Sequence, residues 1–148
     1  ERDLDISYIE EMPLGNISSH KREDTQHQSL DIRKTLAEHL ELTASAETTG
    51  GPSRYFRVTG SNTKIGFISP LSDNFCSSCN RVRLTTEGRL LLCLGNEHSV
   101  DLRAPLRDGV DDAELQDIIV QAIGIKPERH YFDPEDTQIL RFMSATGG

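Results

Sequence analysis

The sequence contains no tryptophan, aromatic residues make up only 5% of it, and there are just three cysteines in 148 residues. A core must therefore rest on Leu, Ile and Val with a few Phe and Tyr, and one domain of this length buries roughly 68–70% of its unfolded surface. Basic residues are also scarce: 16 Lys and Arg face 24 Asp and Glu, for a net charge of −8. That balance argues against a general nucleic-acid face, which is built on neutralising phosphates, so any anion site has to be local. No apolar run approaches the roughly twenty residues of a membrane span, and no basic-then-apolar leader precedes the first strand, so a soluble, cytoplasmic protein is expected. The odd cysteine count suits a reducing compartment, where grouped thiols are more often ligands than disulfide partners.

What is present is a spacing. Cys76 and Cys79 are separated by two residues, Cys93 follows thirteen residues later, and Arg81 and Arg83 stand directly behind the close pair. Two thiolates at that separation can turn back on one metal centre, and a third arriving from a distance closes one face. Three protein ligands leave a position open, as in sites that bind substrate or water at the metal. A strand over residues 81–85 would direct Arg81 and Arg83 to one face, where each offers a planar fork of donors suited to phosphate oxygens. Other readings stand beside this one. The thiols could be small core residues, although Cys76 and Cys79 sit in a Ser/Asp/Asn-rich stretch. A redox dithiol would place the pair at the start of a helix, whereas a strand is expected here. Zinc is the main rival, because His98 lies five residues after Cys93 and would complete a Cys₃His site. The arginines, Arg89 included, could be ordinary solvated strand residues.

Periodicity surrounds the cysteines with an α+β pattern. Leu4 to Ile9 alternates as a strand, residues 15–28 are polar without an apolar period, and Ser29 opens a helix with Leu30, Arg33, Leu36, Ala37 and Leu40 on one face. Residues 48–53, Thr-Thr-Gly-Gly-Pro-Ser, form a breaker loop and divide a strand–helix unit (1–47) from the rest of the chain (48–148). Two hairpins are expected beyond it: residues 54–58 with 64–68 around Gly60-Ser61-Asn62, and residues 81–85 with 89–94 around Thr86-Glu87-Gly88. Cys93 would then sit near the end of the last strand. Asp111 and Glu114 have capping-box spacing, Val110 and Leu115 that of a hydrophobic staple, and Leu115, Ile118, Ile119, Ala122 and Ile123 form an apolar helix face that stops at Gly124. From Lys126 onward a tail is expected, docking intermittently through Phe132, Ile139, Leu140 and Phe142. His20, His27, His39 and His130 are isolated by spacing and carry no assigned chemistry. The first residue is not Met, so a cut through a larger protein is expected.

The segment Cys76-Ser-Ser-Cys79-Asn80-Arg81-Val82-Arg83-Leu84-Thr85, followed by Gly88 and Cys93-Leu94, closely resembles the C-terminal half of the molybdenum cofactor biosynthesis protein A family, the GTP 3′,8-cyclases. Ile9-Glu10-Glu11-Met12-Pro13 with Gly15, Gly66-Phe67-Ile68 with Phe75, Lys126-Pro127 with His130 and Phe132, and Gly147-Gly148 extend the resemblance over nearly the whole chain. The resemblance implies a radical S-adenosylmethionine enzyme built on an incomplete TIM-like α/β barrel, with two [4Fe–4S] clusters. In that family a 5′-deoxyadenosyl radical takes the ribose 3′ hydrogen of GTP, and the sugar carbon then bonds to C8 of guanine. It further implies that Cys76, Cys79 and Cys93 hold the second cluster, whose open iron meets the guanine base. Arg81, Val82 and Arg83 are implied to bind GTP, and Gly147 and Gly148 to act at the radical site. Its other implied partners are pyranopterin monophosphate synthase downstream and a second copy of the full-length protein. The Cys-x₃-Cys-x₂-Cys signature of the radical-generating cluster is absent. The cluster and S-adenosylmethionine of that step are thus expected on a missing N-terminal domain, and this part alone is expected to be inactive. Ala145-Thr146 before the two glycines departs from the apolar residue common in the family.

Overall fold

A computed structural model describes residues 4–15, 19–133, 141 and 143–146. The chain is mixed α+β and forms two compact units, one of Glu1–Met12 with Ser19–Phe75 and the other of Pro13–Ser18 with Cys76–Gly148. The loop at residues 48–53 lies inside the first unit. Among the described residues, no helix is long and apolar enough to cross a membrane.

The first unit is a four-stranded sheet in the order β1 (Ile6–Ile9), β4 (Lys64–Ile68), β3 (Arg54–Val58), β2 (Leu42–Ala44), with helices α1 (Arg22–Thr25) and α2 (Ser29–Ala37) between β1 and β2. The expected hairpin of β3 and β4 forms with the expected bounds, and its turn needs Gly60, whose φ is +79°. β1 runs parallel to β4 in the register Ser7↔Gly66, so the strand–helix unit and the hairpin share one sheet. One face of that sheet is aromatic. Tyr8 stacks on Phe67 at 5.8 Å between ring centroids, Phe56 meets Phe67 edge-on at 5.6 Å, and the Arg33 guanidinium of α2 lies 5.1 Å over Phe56. The opposite face passes through Ser7, Gly66 and Tyr55 in one row. Gly66 leaves room for its neighbours: a Cβ there would run into the Ser53 hydroxyl and lie 2.8 Å from Ser7 Oγ, so those side chains would have to shift.

Ser29 is the first residue of α2 and not its cap. The cap comes from Glu10, at the end of β1 and only 3% exposed. Its carboxylate accepts the Ser29 amide at 2.9 Å, the Leu71 amide at 3.1 Å and the Ser72 amide at 3.0 Å, and the Ser72 hydroxyl as well. One side chain thereby satisfies an orphan donor of the helix start and two amides beyond β4. The expected face of α2 forms in part: Arg33, Leu36 and Leu40 are half-buried together with Ile32, while Leu30 and Ala37 are exposed.

The second unit holds a three-stranded sheet, β5 (Arg83–Leu84), β6 (Arg89–Leu91), β7 (Ser99–Asp101), followed by helices α3 (Arg103–Asp108) and α4 (Asp112–Gly124). The second hairpin is shorter than expected on both arms, and β7 and α3 were not foreseen. Gly88 turns the hairpin with φ +81°, and a Cβ there would approach Arg103 Cβ to 2.8 Å. Asp101 caps α3 by accepting the Arg103 amide at 2.9 Å and the Ala104 amide at 3.1 Å. α4 carries the expected capping box: the Glu114 amide donates to Asp111 Oδ1 at 2.9 Å and the Asp111 amide to Glu114 Oε2 at 3.4 Å. Its inner side meets a core of Leu90, Leu92, Leu102 and Ala122, against which Val100, Leu115, Ile118 and Ile119 pack. Ile123, placed on the inner face by periodicity, is exposed.

Two outcomes are expected. Burial acts to raise the Glu10 pKa, but the Ser29, Ser72 and Leu71 donors outweigh it and hold the carboxyl below its usual 4.5. A depressed carboxyl contributes stability that is complete above its unfolded pKa and is lost as pH falls through the folded value. Glu10→Gln should therefore lower stability by about 1–3 kcal/mol at pH 7 in urea unfolding, with a deficit that shrinks on acidification below about pH 4. A deficit independent of pH would contradict the charged role. Asp111→Ala should cost about 1 kcal/mol by the same measurement, from loss of the cap on α4.

Candidate metal centre

Cys76 opens a 3-10 turn, Cys76–Ser78, closed by the Cys79 amide donating to the Cys76 carbonyl at 3.0 Å. Side chains three apart eclipse in such a turn, so its geometry stacks the two thiols on one side. Cys93 does not lie in a strand as expected. β6 ends at Leu91, Leu92 goes into the core at 1% exposure, and Cys93 starts the turn beyond it. All three cysteines are half-buried thiols without disulfides, and all belong to the second unit.

Cys76 and Cys79 are near enough to bear on Cys93. Burial pushes the Cys93 thiol up, the Gly95 amide and the Lys126 charge pull it down, and the thiols of Cys76 and Cys79 push it up again. Thiols that repel each other as thiolates are a donor set that a bound cation relieves, since coordination removes the proton outright. A single-ion cage is not assembled: among the described residues, no group of three or more His, Cys, Asp or Glu is arranged to hold one metal ion. His98, the expected fourth zinc ligand, is exposed, with its amide donating to Asn96 Oδ1 at 3.0 Å. The Cys₃His arrangement is therefore not formed.

Arg81, Val82 and Arg83 follow the cysteine turn after a single residue, Asn80. Regular pairing begins only at Arg83, opposite Leu91, so strand alternation does not extend to Arg81. Arg81 and Val82 are exposed and Arg83 is half-buried. Arg89 is engaged elsewhere, donating to Ser99 Oγ at 2.9 Å and standing 3.8 Å from Asp101, which makes it a strand-pairing residue. Gly147 and Gly148 lie outside the described residues, as do Ile139, Leu140 and Phe142.

The segment after α4 is more than a docking tail. Lys126 Nζ donates to the Leu92 carbonyl at 2.5 Å, and the Tyr131 amide donates to the Gly95 carbonyl at 3.1 Å. The His130 and Phe132 rings pack 4.7 Å apart, and a Cβ on Gly95 would meet His130 Cβ at 2.5 Å. His130, which spacing left without a role, is thus part of the wall around the Cys93 turn. Chain distance concealed this, because the contacts join positions more than thirty residues apart; the glycine two residues past Cys93 was the local signal.

Comparison with known proteins agrees with the resemblance in the cysteine–arginine segment. Residues 4–132 match the family model described as Molybdenum Cofactor Synthesis C. Proteins named GTP 3′,8-cyclase from Marinobacter nauticus and Saccharophagus degradans are each 57% identical over 150 residues, covering 100% of this chain but 46% and 45% of their own lengths. One from Pseudomonas entomophila is 57% identical over 151 residues, covering 100% of this chain and 45% of its own length. The chain thus spans just under half the length of these relatives and corresponds to their C-terminal part. It belongs to the Molybdenum Cofactor Synthesis C family.

Proposed function

We propose that this chain is the substrate-binding part of a GTP 3′,8-cyclase, with Cys76, Cys79 and Cys93 as ligands of a [4Fe–4S] cluster and Arg81, Val82 and Arg83 as the GTP contact. The observation that carries the reading is the gathering of all three thiols in one unit, each close enough to bear on Cys93. Three thiols, two from the Cys76–Ser78 turn and its end and one from the turn after β6, suit a cluster whose fourth iron takes its ligand from outside the cysteines. When bound, the cluster would supply an iron with one position open to a base nitrogen.

The remaining work falls to the chain. Arg81 and Arg83 each present a fork for triphosphate oxygens, and their charge offsets both the anion and the neighbouring thiolates. Val82, exposed between them, would add a contact to the nucleotide. β1 and α2 would be the last strand–helix unit of a partial barrel. In support, β1 is an edge strand parallel to β4, and Leu4, Ile6 and Ile9 are exposed along it. The part of the relatives that this chain does not cover would hold S-adenosylmethionine and the radical-generating cluster, and Gly147 and Gly148 would reach toward it.

After anaerobic reconstitution with iron and sulfide, the chain should hold about four irons, and Ser in place of Cys76, Cys79 or Cys93 should each lower that number. A full complement in any one variant would overturn the ligand assignment, and stoichiometric zinc that resists the same treatment would favour a metal-stabilised binding module. In the full-length protein, Arg81→Ala or Arg83→Ala should weaken GTP roughly tenfold or more in calorimetric titration while affecting guanosine far less. Equal losses for both ligands would rule out the phosphate role.

A further inference from the structure

The turn that carries Cys93 is held from both sides by residues beyond α4. On one side, Lys126 Nζ donates to the carbonyl of Leu92, the residue immediately before Cys93, in a partly buried bond of 2.5 Å that spans 34 residues. On the other, the Tyr131 amide donates to the Gly95 carbonyl, and His130 and Phe132 close over Gly95. Lys126 is itself anchored, since its amide donates to the Ile123 carbonyl at the end of α4 at 3.1 Å. α4 packs through Leu115, Ile118, Ile119 and Ala122 into the core that contains Leu92. The ammonium therefore has a fixed origin and a fixed target. It is also well matched to the negative end of the helix it follows.

We propose that Lys126 is the positioning residue for Cys93: its ammonium pins the Leu92 carbonyl, fixes the turn that presents the third thiol, and lies beside the ligand set. This deepens the cluster reading above and rests on it for the role of the charge. Arginine carries the charge in a different shape, while methionine keeps approximate length and volume without charge or donor. The ammonium sits on the carbonyl of the residue next to Cys93, so its charge lies beside that ligand. A cation held there favours the more negative state of whatever the three thiolates bind, so it should raise the reduction potential of the cluster.

Two measurements on the whole chain test this with Lys126→Met and Lys126→Arg. In the metal-free protein, hydrogen exchange over residues 91–97 should be severalfold faster in Lys126→Met while α4 keeps its protection. Unchanged exchange in the turn, or equal acceleration in α4, would overturn the positioning role. In the reconstituted protein, the cluster potential should move negative in Lys126→Met and return toward the native value in Lys126→Arg; no shift would overturn the charge role. A native chain that takes up no cluster would refute the reading beneath the charge role, and the exchange comparison, which needs no metal, would then decide the brace by itself.

Discussion

The candidate centre depends on where the most buried side chain among the described residues of the second unit sits. Leu92, at 1% exposure, is packed among Leu90, Leu102 and Ala122, and the next residue is Cys93. Close packing leaves Leu92 almost no freedom, so the third thiol leaves the core at a set place and in a set direction. The hairpin β5–β6 brings that point back toward the turn of Cys76 and Cys79, and Lys126 ties it to the end of α4. The placement of the Cys93 thiol thereby becomes a consequence of core packing and not of the loop's own preferences. A cavity opened at Leu92 would be felt at the thiols.

The first unit is organised around an electrostatic constraint. Glu10 has almost no contact with solvent, and burying a carboxylate is tolerable only when donors replace the lost water. Three backbone amides and a hydroxyl do so, and in doing so they join the end of β1, the start of α2 and the segment after β4. The polar face of the sheet carries a second set of charges, in which Lys64 stands 3.3 Å from Asp5 and 3.2 Å from Glu47. These are exposed pairs of small individual worth, so the buried carboxylate is the stronger constraint on the unit.

What could be read in advance was local. The β3–β4 hairpin followed from alternation around Gly60, and the α4 start from four adjacent residues, Asp111 to Glu114, whose reciprocal bonds need nothing beyond their own turn. The cysteine–arginine spacing is likewise local, since donor type and ligand number are visible in a sequence, and the metal and anion chemistry drawn from it stands as the proposal above. The parallel pairing of β1 with β4, the Glu10 cap and the Lys126 brace were not visible, since each joins residues from 19 to about 60 positions apart. β2 and β7 escaped notice for another reason: three residues each are too few to show a period, and their neighbours in the sheet define them. The strand expected at residues 81–85 proved only two residues long because its partner β6 gives up pairing where Leu92 turns into the core.

The central claim is that three thiols of this chain hold a four-iron cluster and leave one iron without a cysteine. Mössbauer spectroscopy of the chain reconstituted with ⁵⁷Fe, with and without GTP, tests it most directly. Ligand counting predicts two iron populations in a ratio of roughly three to one, with the minor one altered by GTP and not by inorganic triphosphate alone. Four equivalent irons, or a minor population indifferent to GTP, would contradict the account.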